Sequence, residues 1–325
     1  MTITIRLTAD NTGKGVNFNN YMKTYFRDFS LEGWPYILGG SGEFKGTQIV
    51  LLGNMNGSNT KAIVLDGSAI SYELAKHVVS GTLTTVRLGT LGNSYKTSGE
   101  FTEDGAGRIA NSATQVKISG LSIMGTEFHS LVSGFMGGVA SSRKANPAVL
   151  NAAIADEAQK LIGSGGNDTY TGTRFSDRIT GNGGNDALSG GGGNDIIKGG
   201  AGTDRMTGGA GADDLWGNAG ADIFIFKSVS DSTVNAAGRD TIFDFSLAQE
   251  DKIHLASIDA NTLKRGNQAF DFIGMKGFSK TTGELRYERK PSDTYVYGDV
   301  NGDGIADFAI HFDDPIQFTE TYFIL

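Results

Sequence analysis

The sequence predicts two kinds of fold in one chain. The first is an amino-terminal α+β domain, an antiparallel sheet with helices on one face. The second is a carboxy-terminal all-β domain, a parallel β-roll closed by a β-rich cap. Three observations carry this reading. A Gly/Asp repeat with a period of nine fills the middle of the chain, helical and strand-like apolar patterns precede it, and the charge balance changes where it begins. The expected boundaries are 1–162 for the α+β domain, 163–226 for the roll and 227–325 for the cap.

The repeat is taken first. From Gly163 the chain reads GSGGNDTYT, GTRFSDRIT, GNGGNDALS, GGGGNDIIK, GGAGTDRMT, GGAGADDLW and GNAGADIFI, seven consecutive units. Gly opens each one. The sixth position is always Asp: Asp168, Asp177, Asp186, Asp195, Asp204, Asp213 and Asp222. The eighth is always apolar or aromatic: Tyr170, Ile179, Leu188, Ile197, Met206, Leu215 and Phe224. Nine residues hold a six-residue turn and a short strand, and glycine permits the positive-φ turn and exposes its carbonyls. The eighth side chain then points inward. Two units make a coil of 18 residues, so stacked turns lie two repeats apart. A cation between stacked turns meets carbonyl and carboxylate oxygens only, an environment suited to Ca²⁺. The expected pairs are Asp168 with Asp186, Asp177 with Asp195, Asp186 with Asp204, Asp195 with Asp213, and Asp204 with Asp222. This is similar to the RTX nonapeptide, a Ca²⁺-binding repeat. The second unit departs from the pattern, with Thr173 and Phe175 in place of glycine, and Phe175 is read as a cap on the first coil. Without Ca²⁺ the stacked carboxylates repel and a glycine-rich chain is costly to order, so the segment is expected to unfold in chelator.

Composition sets the outer limits. Of 325 residues 48 are Gly, 4 are Pro and none is Cys. With so little Pro and no Gly-X-Y period the chain is not collagenous, and 38% hydrophobic residues argue against disorder. The missing cysteines exclude disulfides, Cys-ligated zinc, iron–sulfur clusters and a Cys nucleophile. No apolar run of ~18 residues exists, so no membrane span is expected. Residues 1–10 lack a basic segment followed by an apolar one, so no ordinary signal peptide is expected either. Residues 1–162 hold 14 Lys+Arg and 12 Asp+Glu, whereas residues 163–325 hold 14 and 24. The acidic half disfavours nucleic acid as a partner and favours a hard cation.

After the repeats, strands are expected at 223–226, 241–245, 252–255, 284–287, 295–297 and 307–312. The stretch SDSTVNAAGRDTIFDFSLAQEDKIHL resembles the segment after the roll in serralysin-type secreted proteases, and Asp231 and Asp240 match two residues that bind a further Ca²⁺ in that family. The loop from Asp299 to Asp307 opens like an EF-hand, with Asp299, Asn301 and Asp303 followed by Gly304, but lacks the closing Glu. A structural turn and a Ca²⁺ site are both open readings of it. The last six residues, ETYFIL, resemble the acidic-then-hydrophobic tail read by type I secretion machinery, and they also read as a terminal edge strand. Together these features imply export to the extracellular space, with repeats unfolded at low cellular Ca²⁺ and folded outside. The resemblance does not bring a protease. The four His, at 77, 129, 254 and 311, include no pair four apart around a Glu, and no G-x-S-x-G elbow occurs. No enzyme is expected.

Before the repeats, three helices are read. Phe18, Tyr21, Met22, Tyr25, Phe26 and Phe29 make one amphipathic face, and Phe128, Leu131, Val132, Phe135, Met136 and Val139 another. The third starts at Asn146-Pro147 and carries Leu150, Ala153, Ile154 and Leu161. Strands are expected at 47–52, 60–66, 68–74, 82–88 and 115–123. The run SAISYELAKHVVSGTLTTVRLG and the run EFHSLVSGFMGG resemble the HasA family of secreted haem-carrying hemophores. The resemblance implies a hemophore-like fold that binds haem and passes it to an outer-membrane receptor. Tyr72 would ligate the iron, His77 would accept the phenol proton, and Phe135 and Met136 would lie at the haem-facing end of a helix. The second axial His of that family has no counterpart here, because the segment 30–44 holds Trp34, Tyr36 and Phe44 but no His. On pattern alone Tyr72 shares a strand face with Ile70 and Leu74 and reads as a core tyrosine. A Ca²⁺-dependent adhesion or matrix-binding protein without haem is the alternative.

Overall fold

Apolar residues in long β-branched runs make the region before the repeats a sheet. The computed structural model describes residues 2–10, 12–27, 29, 31, 35–40, 44–53, 59–73, 78–91, 106, 109, 113–136 and 146–325. These fall into two compact units, Met1–Asp10 with Val16–Glu157, and Asn11–Gly15 with Ala158–Leu325.

In the first unit the strands are β1 (Ile3–Leu7), β2 (Tyr36–Leu38), β3 (Lys45–Gly53), β4 (Lys61–Glu73), β5 (Val78–Thr90) and β6 (Ala113–Met124). Every neighbouring pair is antiparallel, in the order β2-β3-β4-β5-β6-β1. The strands expected at 60–66 and 68–74 are one strand, β4, whose pairing with β5 shifts between Asp66 and Gly67 and again between Ser68 and Ser71. A Cβ at Gly67 would overlap the Thr82 carbonyl oxygen, so only glycine lets the two backbones close at that irregularity.

The helices are α1 (Phe18–Arg27), α2 (Gly125–Phe135) and α3 (Ala148–Ala155). The expected apolar faces are the buried ones: Phe18, Met22, Tyr25 and Phe26 on α1, and Phe128, Leu131, Val132 and Phe135 on α2. Phe26 stacks on Phe135 with ring centroids 5.2 Å apart, and the Tyr25 hydroxyl donates to the Ala62 and Gly89 carbonyls of β4 and β5 at 2.7 and 3.0 Å. These contacts fix α1 and α2 on one face of the sheet. A separate buried cluster of Val50, Leu52, Ala62, Val64, Leu91 and Ile109 also forms. Leu161 is not helical. α3 ends at Ala155, and Leu161 lies in β7 (Gln159–Ile162) opposite Ile179, where strand pairing outweighs a helical spacing.

In the second unit the repeats give β8 (Thr169–Thr171), β9 (Arg178–Gly183), β10 (Ala187–Gly192), β11 (Ile196–Ala201), β12 (Arg205–Ala210), β13 (Asp214–Ala219) and β14 (Ile223–Ile225). Successive strands alternate between two sheets, and within each sheet partners are parallel and two repeats apart, as Leu188 with Met206 and Ile197 with Leu215. Beyond the repeats come β15 (Thr241–Ile242), β16 (Lys252–His254), β17 (Asp271–Gly274), β18 (Glu284–Arg289), β19 (Thr294–Asp299), β20 (Phe308–Phe312) and β21 (Phe323–Ile324). One sheet continues through β15 and β20, then turns antiparallel through β19 and β18; the other continues through β16 and ends at β21.

The eighth-position side chains build two buried stacks. Leu161, Ile179, Ile197, Leu215, Ile242 and Phe312 form one, in register, and Tyr170, Leu188, Met206, Phe224, Ile253 and Phe323 the other. Each contributes about 1.5–3 kcal/mol of burial. Only one such residue arises per strand, so the core is one side chain wide and the turns between strands lie beside it.

Candidate functional site

Each repeat turn delivers its Asp to the inside of the turn, and the carboxylates form a ladder. The backbone N–H of Asp168 donates to Asp186 Oδ1 at 2.7 Å, Asp177 to Asp195 at 2.7 Å, Asp186 to Asp204 at 2.8 Å, Asp195 to Asp213 at 2.7 Å and Asp204 to Asp222 at 2.8 Å. All five expected pairs are thus in contact, 18 residues apart. Asp213 continues the ladder to Asp240 and Asp222 to Asp251, each at 2.9 Å. Asp251 was not among the sequence candidates. Its signal was present, because Asp240-Thr-Ile242 and Asp251-Lys-Ile253 keep the Asp-x-apolar spacing of the repeats after the nonapeptide length is lost.

The second carboxylate oxygens carry the chemistry. Oδ2 of Asp186, Asp195, Asp204, Asp213, Asp222 and Asp240 is buried with no hydrogen-bond partner among the described residues. Each of the first five lies where a Cβ on the glycine opening its own repeat would overlap it (Gly181, Gly190, Gly199, Gly208 and Gly217), which is why that position admits no side chain. Burial pushes these carboxyls up, Asp186 and Asp222 to about 7, Asp195 to about 8, Asp213 to about 6 and Asp240 to about 9. Neighbouring carboxylates add to the rise, and the backbone N–H each accepts opposes it. A row of buried, anionic, half-satisfied oxygens fits a hard divalent cation such as Ca²⁺. Asp231 adds its charge to Asp213 and Asp240, but its own Oδ2 accepts from the Lys227 and Ser228 amides at 2.7 and 3.2 Å.

The 299–307 loop differs. Asp299 accepts from the amides of Asn301, Gly302 and Gly304, Asp303 from Ile305, and Asp307 from Val300 and the Asn301 side chain. Its carboxylates are used in building the turn. At the ends of the cap strands, Asp293, His311 and Asp313 come together, with His311 Nε2 3.2 Å from Asp293 Oδ1 and Nδ1 3.1 Å from Thr241 Oγ1.

The first unit holds an apolar cavity of about 280 Å³ lined by Pro35, Ile37, Phe44, Ile49, Tyr72, Val79, Val132 and Met136. Tyr72 carries the one hydroxyl among these side chains. β4 places it there, and its amide donates to the Phe44 carbonyl at 2.9 Å, which sets the Phe44 ring edge-on to it at 6.0 Å. Tyr72 and Met136 therefore share one cavity. Phe135 does not line it; it is fully buried against Phe26, one position along the helix and turned into the core. His77 and Trp34 lie outside the described residues, and Tyr36 is 44% exposed and outside the lining.

Residues 149–325, more than half of the chain, match the family described as Peptidase M10 serralysin C terminal. The chain belongs to this family. The serralysin C-terminal match spans the whole ladder and its cap, and residues 1–148 lie outside it. Among solved structures, a holo hemophore HasA from Yersinia pestis is similar at 16% identity and a TM-score of 0.36, covering 50% of this chain and 99% of that one. The AlgE6R2 subunit of a mannuronan C5-epimerase from Azotobacter vinelandii is similar at 21% identity and a TM-score of 0.35, covering 48% and 91%. No curated protein matches the chain.

Proposed function

We propose that the chain is a secreted, extracellular Ca²⁺-binding protein whose amino-terminal unit binds haem for iron acquisition. On this reading the second unit is an RTX β-roll. Asp168, Asp177, Asp186, Asp195, Asp204, Asp213, Asp222 and Asp240 form its acidic ladder, with Asp231 beside it, and the oxygens left open on that ladder meet the cation. The unit is exported unfolded by type I machinery and folds on meeting Ca²⁺ outside. The orphaned, buried Oδ2 atoms carry the Ca²⁺ reading.

The haem reading rests on a cavity whose walls, among the described residues, are apolar except for one phenol. Haem needs flat apolar walls and an iron ligand. Ile37, Ile49, Val79, Val132 and Phe44 would supply the walls, Tyr72 the oxygen ligand and Met136 a thioether at the same wall. His77 would tune the phenol, and Phe135 would support Met136 from the core. An outer-membrane receptor would take the haem onward. Bound haem supplies an iron(III) centre whose affinity for a phenolate oxygen anchors it. Titration of the Ca²⁺-loaded chain with hemin is expected to give a saturable one-to-one Soret shift, which Tyr72→Phe weakens by at least tenfold. An identical titration curve in Tyr72→Phe removes Tyr72 from the site. The missing His in segment 30–44 favours a second reading, Ca²⁺-dependent adhesion to a surface or matrix. Ca²⁺-dependent retention on cells with no hemin response would select it.

A further inference from the structure

Nine carboxylates make up the ladder, but they are not alike. The five interior ones, Asp186, Asp195, Asp204, Asp213 and Asp222, and Asp240 at one far end each leave Oδ2 unpartnered. The three at the other ends do not. Asp168 Oδ2 accepts from the Ser164 amide at 2.6 Å and Oδ1 from the Ser164 hydroxyl at 3.1 Å. Asp177 Oδ2 accepts from the Thr173 amide at 2.6 Å, with Oδ1 taken by the Gln159 amide at 2.6 Å and the Thr173 hydroxyl 3.1–3.2 Å from both oxygens. At the far end Asp251 Oδ1 accepts from Asp222 and Oδ2 from the Ser246 amide at 2.8 Å.

The sequence marks the same division. The second repeat position is Ser164 and Thr173 in the two end units, and Asn182, Gly191, Gly200, Gly209 and Asn218 in the interior ones. An interior Asp has a coil on its amino-terminal side whose Asp amide bonds to its Oδ1, and its free Oδ2 lies against the opening glycine of its own repeat. The first two Asp have no repeat Asp one coil before them. Their own turns fold back to bond the oxygens that a cation meets elsewhere. An amide N–H aimed at a carboxylate supplies the partial positive charge that the buried oxygen requires.

We infer that Ser164, Thr173 and Ser246 are end caps that substitute for cations. The ladder takes Ca²⁺ at the six open carboxylates, and Asp168, Asp177 and Asp251 close it without metal. The inference rests on the Ca²⁺ reading above but separates from it. It assigns opposite roles to residues that share one motif position, and it makes the second repeat a terminator rather than a degraded binding unit.

The test is the amount of Ca²⁺ bound per full-length chain, measured by atomic emission after equilibrium dialysis, with circular dichroism on the same samples. Asp204→Asn and Asp195→Asn are expected to lower the bound Ca²⁺ by at least one ion. Asp168→Asn, Asp177→Asn and Asp251→Asn are expected to leave it unchanged while lowering the melting temperature. Ser164→Ala and Thr173→Ala keep every carboxylate and guard against an Asn variant that fails to fold; both are expected to retain the wild-type count. Loss of Ca²⁺ in the end variants equal to that in the interior ones overturns the inference and leaves the Ca²⁺ reading standing. A wild-type chain that binds no Ca²⁺ overturns both.

Discussion

A carboxyl group held in a turn with one oxygen unpartnered prefers to be neutral, and that preference sets a pH dependence. Unfolded Asp titrates near 3.9. In the fold, burial raises Asp213 to about 6, Asp186 and Asp222 to about 7, Asp195 to about 8 and Asp240 to about 9. Because the folded values lie above the unfolded one, the folded state binds more protons through this window. Its stability in the absence of metal is therefore greatest below about pH 4 and falls as pH rises through 6 to 9. Ca²⁺ reverses the slope, since protons compete with it for the same oxygens. Calorimetry of metal-free protein is expected to show the second unit melting higher at pH 5 than at pH 8, and the order to invert in saturating Ca²⁺. A metal-free melting temperature that rises with pH would contradict the ladder's electrostatics.

At the scale of elements, legibility follows how strongly local pattern and tertiary pairing agree. The repeat strands were readable because one pattern sets turn, inward residue and carboxylate together. β17 and β2 were not, being four and three residues long with no alternation to detect, and each is fixed by its partner strand. β21 lies within the ETYFIL tail, and its Phe323 closes the inward stack as an edge strand. The cavity was half legible. Tyr72, Met136 and Phe44 come from the sequence, but their companions Ile37, Ile49, Val79 and Val132 are apolar positions that no local pattern separates from ordinary core. The first unit also carries a polar tie that no spacing announces. Arg87 donates Nε to Asp66 Oδ2 at 2.9 Å and a second nitrogen to Asp66 Oδ1 at 3.0 Å; Gln48 bonds Asp66 at 2.8 Å and accepts the Ile109 amide at 2.9 Å. The network joins β3, β4 and β5 to Ile109 in the cluster with Val64. Arg87→Met leaves the partly buried Asp66 without its cation and is expected to cost about 1–3 kcal/mol, read as a lower denaturant midpoint of the first unit. A shift below about 0.3 kcal/mol would show the tie to be a surface pair.

Over the whole molecule, the repeat segment cannot hold itself together by apolar burial alone. Its inward stacks are one residue wide, and against them stand the ordering of a glycine-rich chain and the repulsion of buried carboxylates. A ligand that binds only the folded state adds about 2.7 kcal/mol per site at a hundredfold excess over its dissociation constant, so a handful of bound Ca²⁺ ions outweighs the whole stability of an ordinary domain. The ladder also couples its sites. The amide of each interior Asp bonds the carboxylate two repeats on, so a cation that orders one turn fixes the next one's oxygen as well. Folding with Ca²⁺ is therefore expected to be steep, with a Hill coefficient above about 2 by far-ultraviolet circular dichroism. The first unit has a broader apolar core and no such debt of unpaired charge. In chelator, hydrogen exchange is expected to lose protection throughout 163–254 while β3 to β6 of the first unit keep theirs. Uniform loss across both units would mean that the sheet and its cavity also depend on the metal. Retention of protection in the repeats would mean that the orphaned oxygens are neutralised by protons instead, and the pH slope of the metal-free form decides between those two.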